Sequence, residues 1–155
     1  MQSDKYTTKL TPEQAAYVAG IMDGEGCIHI HKSKPSPKKG EINTKYVVRI
    51  RIAMCCEKTI KALLEMVGYG NVYFRPRQSH QHKDQWAYEC SSMQARCLLE
   101  ELQPYLITKE TPAQIAIEFA NLPRERRMQN GVSPEIMAER ERLYAQMRAF
   151  NKNGK

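Results

Sequence analysis

The stretch Tyr17-Val18-Ala19-Gly20-Ile21-Met22-Asp23-Gly24-Glu25-Gly26 constrains this chain more than any other. Ala16, Gly20 and Gly24 recur at every fourth position. On a helix they share one face and let a second backbone come very close. The glycines end the helix, which leaves Asp23 and Glu25 at its C-terminus. The helix dipole is negative there, so acids stabilise poorly, but they and the terminal carbonyls can share a cation. The bland alternative is an Ala/Gly-rich packing helix with a glycine C-cap.

Other helix starts are legible. Thr11-Pro12-Glu13-Gln14 is a capping box with Pro at the first helical position. Thr111-Pro112-Ala113-Gln114 repeats the device, and Ser133-Pro134-Glu135 opens a further helix. Ser91-Ser92-Met93-Gln94 is a weaker box for a helix through Leu102. Ile60, Leu63, Leu64 and Val67 share a face and predict a helix over 58–67. Period-two alternation predicts strands over 27–33, 46–54 and 71–77, with a fourth around 86–91. The order is helix, two strands, helix, two strands, then helices. At 155 residues this is one α+β domain, with a tail over 1–10 and a helical extension over 124–155.

The polar parity of those strands collects His29, His31, Ser33, Lys45, Arg49, Arg51, Asn71, Tyr73, Arg75 and Arg77, without one acid. Side chains of these types grip phosphates and read base edges, and an antiparallel ribbon fits the major groove. Charge agrees. The net value is +7, with eight Lys/Arg against two Glu between 27 and 58 and eight against four from 124 to 155. A basic sheet of this kind points to double-stranded DNA, against the alternative of a basic solvated surface.

No apolar run approaches the ~18 residues of a membrane span, and no signal-peptide core opens the chain, so no membrane partner is expected. Five cysteines without a CxxC argue against a disulfide framework and for an intracellular, reducing compartment, not secretion. Cys27, Cys55, Cys56, Cys90 and Cys97 read as small apolar residues. The His29/His31 and His80/His82 pairs lack further ligands at zinc-site spacing.

Residues 18–26 resemble the LAGLIDADG motif of homing endonucleases, with Val18 for the first Leu, Ile21 and Met22 for Leu-Ile, and Glu25 for the second Asp. Leu102-Gln103-Pro104-Tyr105-Leu106-Ile107-Thr108-Lys109, followed by Gln114, resembles the LxPYLxxK segment of that family. The tail through Asn151-Lys152-Asn153-Gly154 is also similar to family tails. Over roughly 13–122 the element order matches the family's αββαββαα fold, with a curved antiparallel DNA-binding sheet. The resemblance implies an intron-encoded, site-specific DNA endonuclease. It implies that Glu25 binds a catalytic Mg2+ with the Gly24 carbonyl beside it, Mn2+ or Ca2+ substituting for binding. It also implies that Lys109 orders water and stabilises charge at the phosphate. Asp23 would be helix-end and interface architecture with an indirect catalytic part. Met54 stands where the family usually has a Gln, and Lys58 where some members place an Arg; a methionine orients water poorly. Cleavage across the minor groove with 3′ overhangs belongs to the same implication.

In-line hydrolysis needs an activated water and neutralised charge on the leaving oxygen, which metals on hard oxygen ligands supply. One chain offers a single Glu25. Two chains meeting through Ala16, Gly20 and Gly24 would bring two carboxylates to a symmetry axis, so a homodimer is expected. Each half would span about 8 base pairs, from strands of ~8 residues at ~3.3 Å against a duplex rise of ~3.4 Å. The target is then long and pseudo-palindromic. The alternatives are an intron maturase that binds intron RNA, or a non-cleaving DNA- or RNA-binding protein on the same fold. Glu25 and Lys109 favour the nuclease, and RNA recognition would favour more stacked aromatics than Tyr73.

Overall fold

The computed structural model describes residues 6, 10–41, 43–123 and 132–153. Most of the expected tail over 1–10, the first part of the expected extension (124–131) and Gly154 lie outside the described residues.

Helix α1 (Pro12–Glu25) runs directly into β1 (Gly26–Ser33), and β2 (Lys45–Met54) returns beside it. Helix α2 (Glu57–Val67) leads to a second hairpin, β3 (Asn71–Arg75) and β4 (Gln85–Ser91). Three helices follow: α3 (Met93–Leu102), α4 (Glu110–Ala120) and α5 (Pro134–Asn153). The strands form an antiparallel sheet in the order β1-β2-β4-β3, so the two hairpins join through their second strands.

Local chemistry explains how α1 begins and ends. The Gln14 amide donates to Thr11 Oγ1 at 3.2 Å and the Thr11 amide to Gln14 Oε1 at 3.0 Å, which is the expected capping box. At the other end Gly26 turns straight into an extended strand. A Cβ there would lie 2.3 Å from Met22 Sδ and 2.6 Å from Met22 O, so only glycine lets β1 leave α1 this abruptly.

Alternation sets the sheet. Ile28, Ile30, Val48, Ile50 and Ile52 are each at most 4% exposed, and with Tyr88 and Cys90 they make one apolar face. The buried sides of all five helices join the same core, from Ala15 of α1 to Met147 of α5. Among the described residues no helix covers the opposite face. Burying each large apolar side chain is worth about 1.5–3 kcal/mol, and a one-residue slip of β2 would exchange Ile50 for an arginine. Register is therefore strongly set.

The structure corrects several expectations. Helix α4 starts at Glu110 with Lys109 at its N-cap, so Thr111 and Pro112 lie inside the first turn. Pro is tolerated there because those amides have no intrahelical partner. Ser92 precedes α3 with φ at +54° and makes no side-chain cap; its amide instead donates to the Val48 carbonyl at 2.9 Å. Strand β3 ends at Arg75, since Pro76 has no amide to continue the ladder. Cys27, Cys55 and Cys56 are exposed and only Cys90 is buried: Cys27 falls on the outward parity, and the other two occupy the turn into α2. Helix α5, within the expected helical extension, buries Leu143 and Met147 in the core and reaches the outer edge of β1 through Asn151 Nδ2, which donates to the Ile28 carbonyl at 3.0 Å. No helix among the described residues is long and apolar enough to cross a membrane.

Candidate active site and nucleic-acid interface

The C-terminal end of α1 is tied to the segment ahead of α4. Both carboxylate oxygens of Asp23 are used: the Ile107 amide donates to Oδ2 at 2.8 Å and the Lys109 amide to Oδ1 at 2.9 Å. In return the Lys109 ammonium donates to the Asp23 carbonyl at 3.0 Å. The electrostatics are favourable in both directions, because backbone N–H groups offset an acid and a cation meets the negative end of the helix. Asp23 thereby ties the end of α1 to the segment ahead of α4, a structural role that an acid set against the dipole was not expected to have. Glu25, two residues on, is exposed, and no hydrogen bond or ion pair joins it to another described residue. The two acids thus divide the work, one holding the frame and the other free for a ligand.

The stretch also shows what its glycines are not for. A Cβ at Gly20 or Gly24 would meet nothing within 4 Å in this chain. Glycine in a helix interior costs about 0.5–1 kcal/mol relative to alanine, and the chain's own packing returns none of that here. Ala16 and Tyr17 are exposed on the same side, with Tyr17 at 49%. The helix is apolar nearly all round, a pattern that belongs to helices covered on every side.

The open sheet face starts where α1 ends. Cross-strand partners place His29 opposite Arg49, Ser33 opposite Lys45, and His31 opposite Val47. A row formed by Cys27, Arg51, Glu89 and Asn71 crosses all four strands. Tyr73 and Arg75 point the same way from β3. Nine of the ten expected face residues therefore share this surface; the exception, Arg77, lies in the loop after β3, where its amide donates to Asp84 Oδ1 at 2.8 Å. Lys45 is paired with Glu41 at the far end of β2. Met54 takes the apolar parity and packs against the core, so it does not stand on the open face at all.

Strand β4 adds to this face an acid outside the ten expected positions. Glu89 sits among the bases, accepting from Arg51 Nε and Nη2 at 3.1 Å each and from the Tyr73 hydroxyl at 2.9 Å. Burial pushes its carboxyl up, but the hydrogen bonds from Tyr73 and Arg51 outweigh this and hold it below the ordinary value. Its parity could have been read from the large residues Trp86, Tyr88 and Cys90 alternating with Gln85, Ala87, Glu89 and Ser91. Near it, burial and the neighbouring Arg51 and Arg49 push the His29 imidazole below its ordinary value.

Glu25 and the adjacent Gly24 carbonyl offer the all-oxygen donor type that hard divalent cations take. Among the described residues no group of three or more His, Cys, Asp or Glu assembles for a metal. One carboxylate is well short of the roughly six oxygens that Mg2+ needs, so the donors fit as part of a site.

A family model described as LAGLIDADG endonuclease matches residues 18–117. None of the curated proteins matches in sequence. Among solved structures, the homing endonuclease I-CvuI in complex with the I-CreI target is similar at a TM-score of 0.71 and 18% identity, over 92% of this chain and 84% of that one. The archaeal intron-encoded homing endonuclease I-Vdi141I complexed with DNA is similar at 0.70 and 15% identity, over 92% and 87%. The meganuclease I-SmaMI bound to uncleaveable DNA gives 0.67 and 18% identity, over 86% of this chain but 44% of that one.

Proposed function

This chain belongs to the LAGLIDADG endonuclease family, and we propose that it acts as a homodimeric, divalent-metal-dependent endonuclease that cuts both strands of a long, pseudo-palindromic DNA site. The observation that carries the reading is the juxtaposition at the end of α1: Glu25, unpartnered among the described residues, and a fixed Lys109 stand at the rim of an open basic sheet. I-CvuI and I-Vdi141I, which share the fold, were both solved with DNA.

In this reading the sheet face docks in the major groove and sets the scissile phosphate over α1. A divalent ion held by Glu25 and the Gly24 carbonyl would lower the pKa of the attacking water and neutralise the leaving oxygen. Lys109 keeps donors free beyond the one on the Asp23 carbonyl and directs them at charge that develops on the phosphate. Asp23 is a positioning residue, holding the Lys109 backbone in place.

The dimer follows from the partial metal site and from Gly20 and Gly24, whose helical cost a partner's close-packed backbone would offset. Gly20→Leu is expected to turn the dimer into monomer or aggregate in light scattering; an active dimer of that variant would place the interface elsewhere. The function itself is tested by selecting sites from a randomised DNA library and incubating a plasmid that carries one. Linear product with Mg2+ and none with chelator is the expected result, and binding without cleavage under all metals would overturn it.

A further inference from the structure

Glu89 is the acid that the basic face did not need for solubility or for phosphate contact. Its Oε2 alone takes the three bonds from Arg51 and Tyr73, and among the described residues nothing donates to Oε1. The pair is neither buried nor loose, with side-chain exposures of 36% for Arg51 and 22% for Glu89. Both bonds from Arg51 come from Nε and Nη2, leaving both N–H groups of Nη1 for another acceptor. A partly exposed ion pair of this kind adds only modestly to stability, which leaves the three converging donors open to a role toward a ligand. An arginine already held in one rotamer, however, loses less freedom when it engages a base.

Building on the DNA-binding reading above, we propose that Glu89 is a specificity-determining residue: it holds Arg51 against a guanine and presents Oε1 to the paired cytosine, so that the two side chains together require a G·C pair at one position of each half-site. The donor and acceptor pattern fits. Arginine matches the O6 and N7 acceptors of guanine, and a carboxylate accepts from cytosine N4. An A·T pair in the same orientation opposes the arginine with the adenine amino group and the carboxylate with thymine O4. That repulsion provides discrimination in addition to the attraction.

The test is competition binding to a site library randomised one base pair at a time, without added magnesium, with melting curves for each variant. The native protein is expected to show one position at which G·C is preferred roughly 5- to 150-fold, the discrimination of a good bidentate contact. Glu89→Gln should erase that preference and spare the other positions. Arg51→Lys should lose the same position, and the double variant should lose no more than either single one. Retention of the preference by Arg51→Lys overturns the proposal however the Glu89 variant behaves. So does a Glu89→Gln profile that is unchanged or flattened evenly. A native protein with no sequence preference anywhere would take down the proposed function and this inference together; normal specificity without that G·C position removes only the inference.

Discussion

The end of α1 and the open face of the sheet lie side by side and are both polar, yet they are held in different ways. At the helix end, Asp23 grips backbone amides 84 and 86 positions away and Lys109 grips a backbone carbonyl. On the sheet, side chains hold side chains: Arg51 and the Tyr73 hydroxyl both donate to Glu89. Backbone atoms stay where they are whatever the neighbouring side chains become, so the helix end is a fixed tool. The sheet is a fixed scaffold with replaceable tips. Chemistry on a phosphate, which is identical at every site, suits the first arrangement. Reading a base sequence suits the second.

If that division is right, changes at the helix end should appear in rate and changes on the sheet in affinity or preference. The largest effect is expected from Glu25→Gln, which should cut the cleavage rate by at least about 100- to 1000-fold with DNA binding nearly intact. Native cleavage by this variant in Mg2+ would break the comparison at its catalytic side. Lys109→Met comes next, with single-turnover cleavage at saturating enzyme slowed on the order of 100-fold and affinity changed far less. A Lys109 that merely touches phosphate would instead lower affinity and its salt slope together, with a normal single-turnover rate.

Arg49→Ala sharpens the other side. It should weaken binding or relax preference by about 1–3 kcal/mol if a base contact is lost, while saturated complexes still cleave at the native rate. The smallest effect concerns His29 in the protein alone. Its folded value is depressed from the ordinary 6.5, so at mildly acidic pH the unfolded chain takes up the proton before the folded one does. The contribution to stability is complete above about 6.5 and is lost as pH falls toward the folded value. His29→Gln should flatten that part of a urea-melt series measured between pH 7 and pH 5. A slope unchanged by the substitution would mean another group titrates there.

Much of the fold was legible because its signals are local. Thr11 and Gln14 are three residues apart, and the apolar parity of Val48, Ile50 and Ile52 repeats every second position. Signals that needed neighbouring context misled: Thr111-Pro112 looked like a helix start although Lys109 is the N-cap, and the cysteines read alike as small apolar residues although Cys90 is buried while Cys55 and Cys56 occupy an exposed turn.

The sequence by itself determined the helix with its small-residue face, the two hairpins and a basic strand parity, since each depends on residues within a turn or a pleat of one another. The tertiary structure alone decided which acid is tied down and which is free, and that Glu89 meets Arg51 across 38 positions. Periodicity tells which way a strand's side chains point but not which strand lies next to it. That neighbour is chosen by the packing of the helices on the far side of the sheet, where the buried area is.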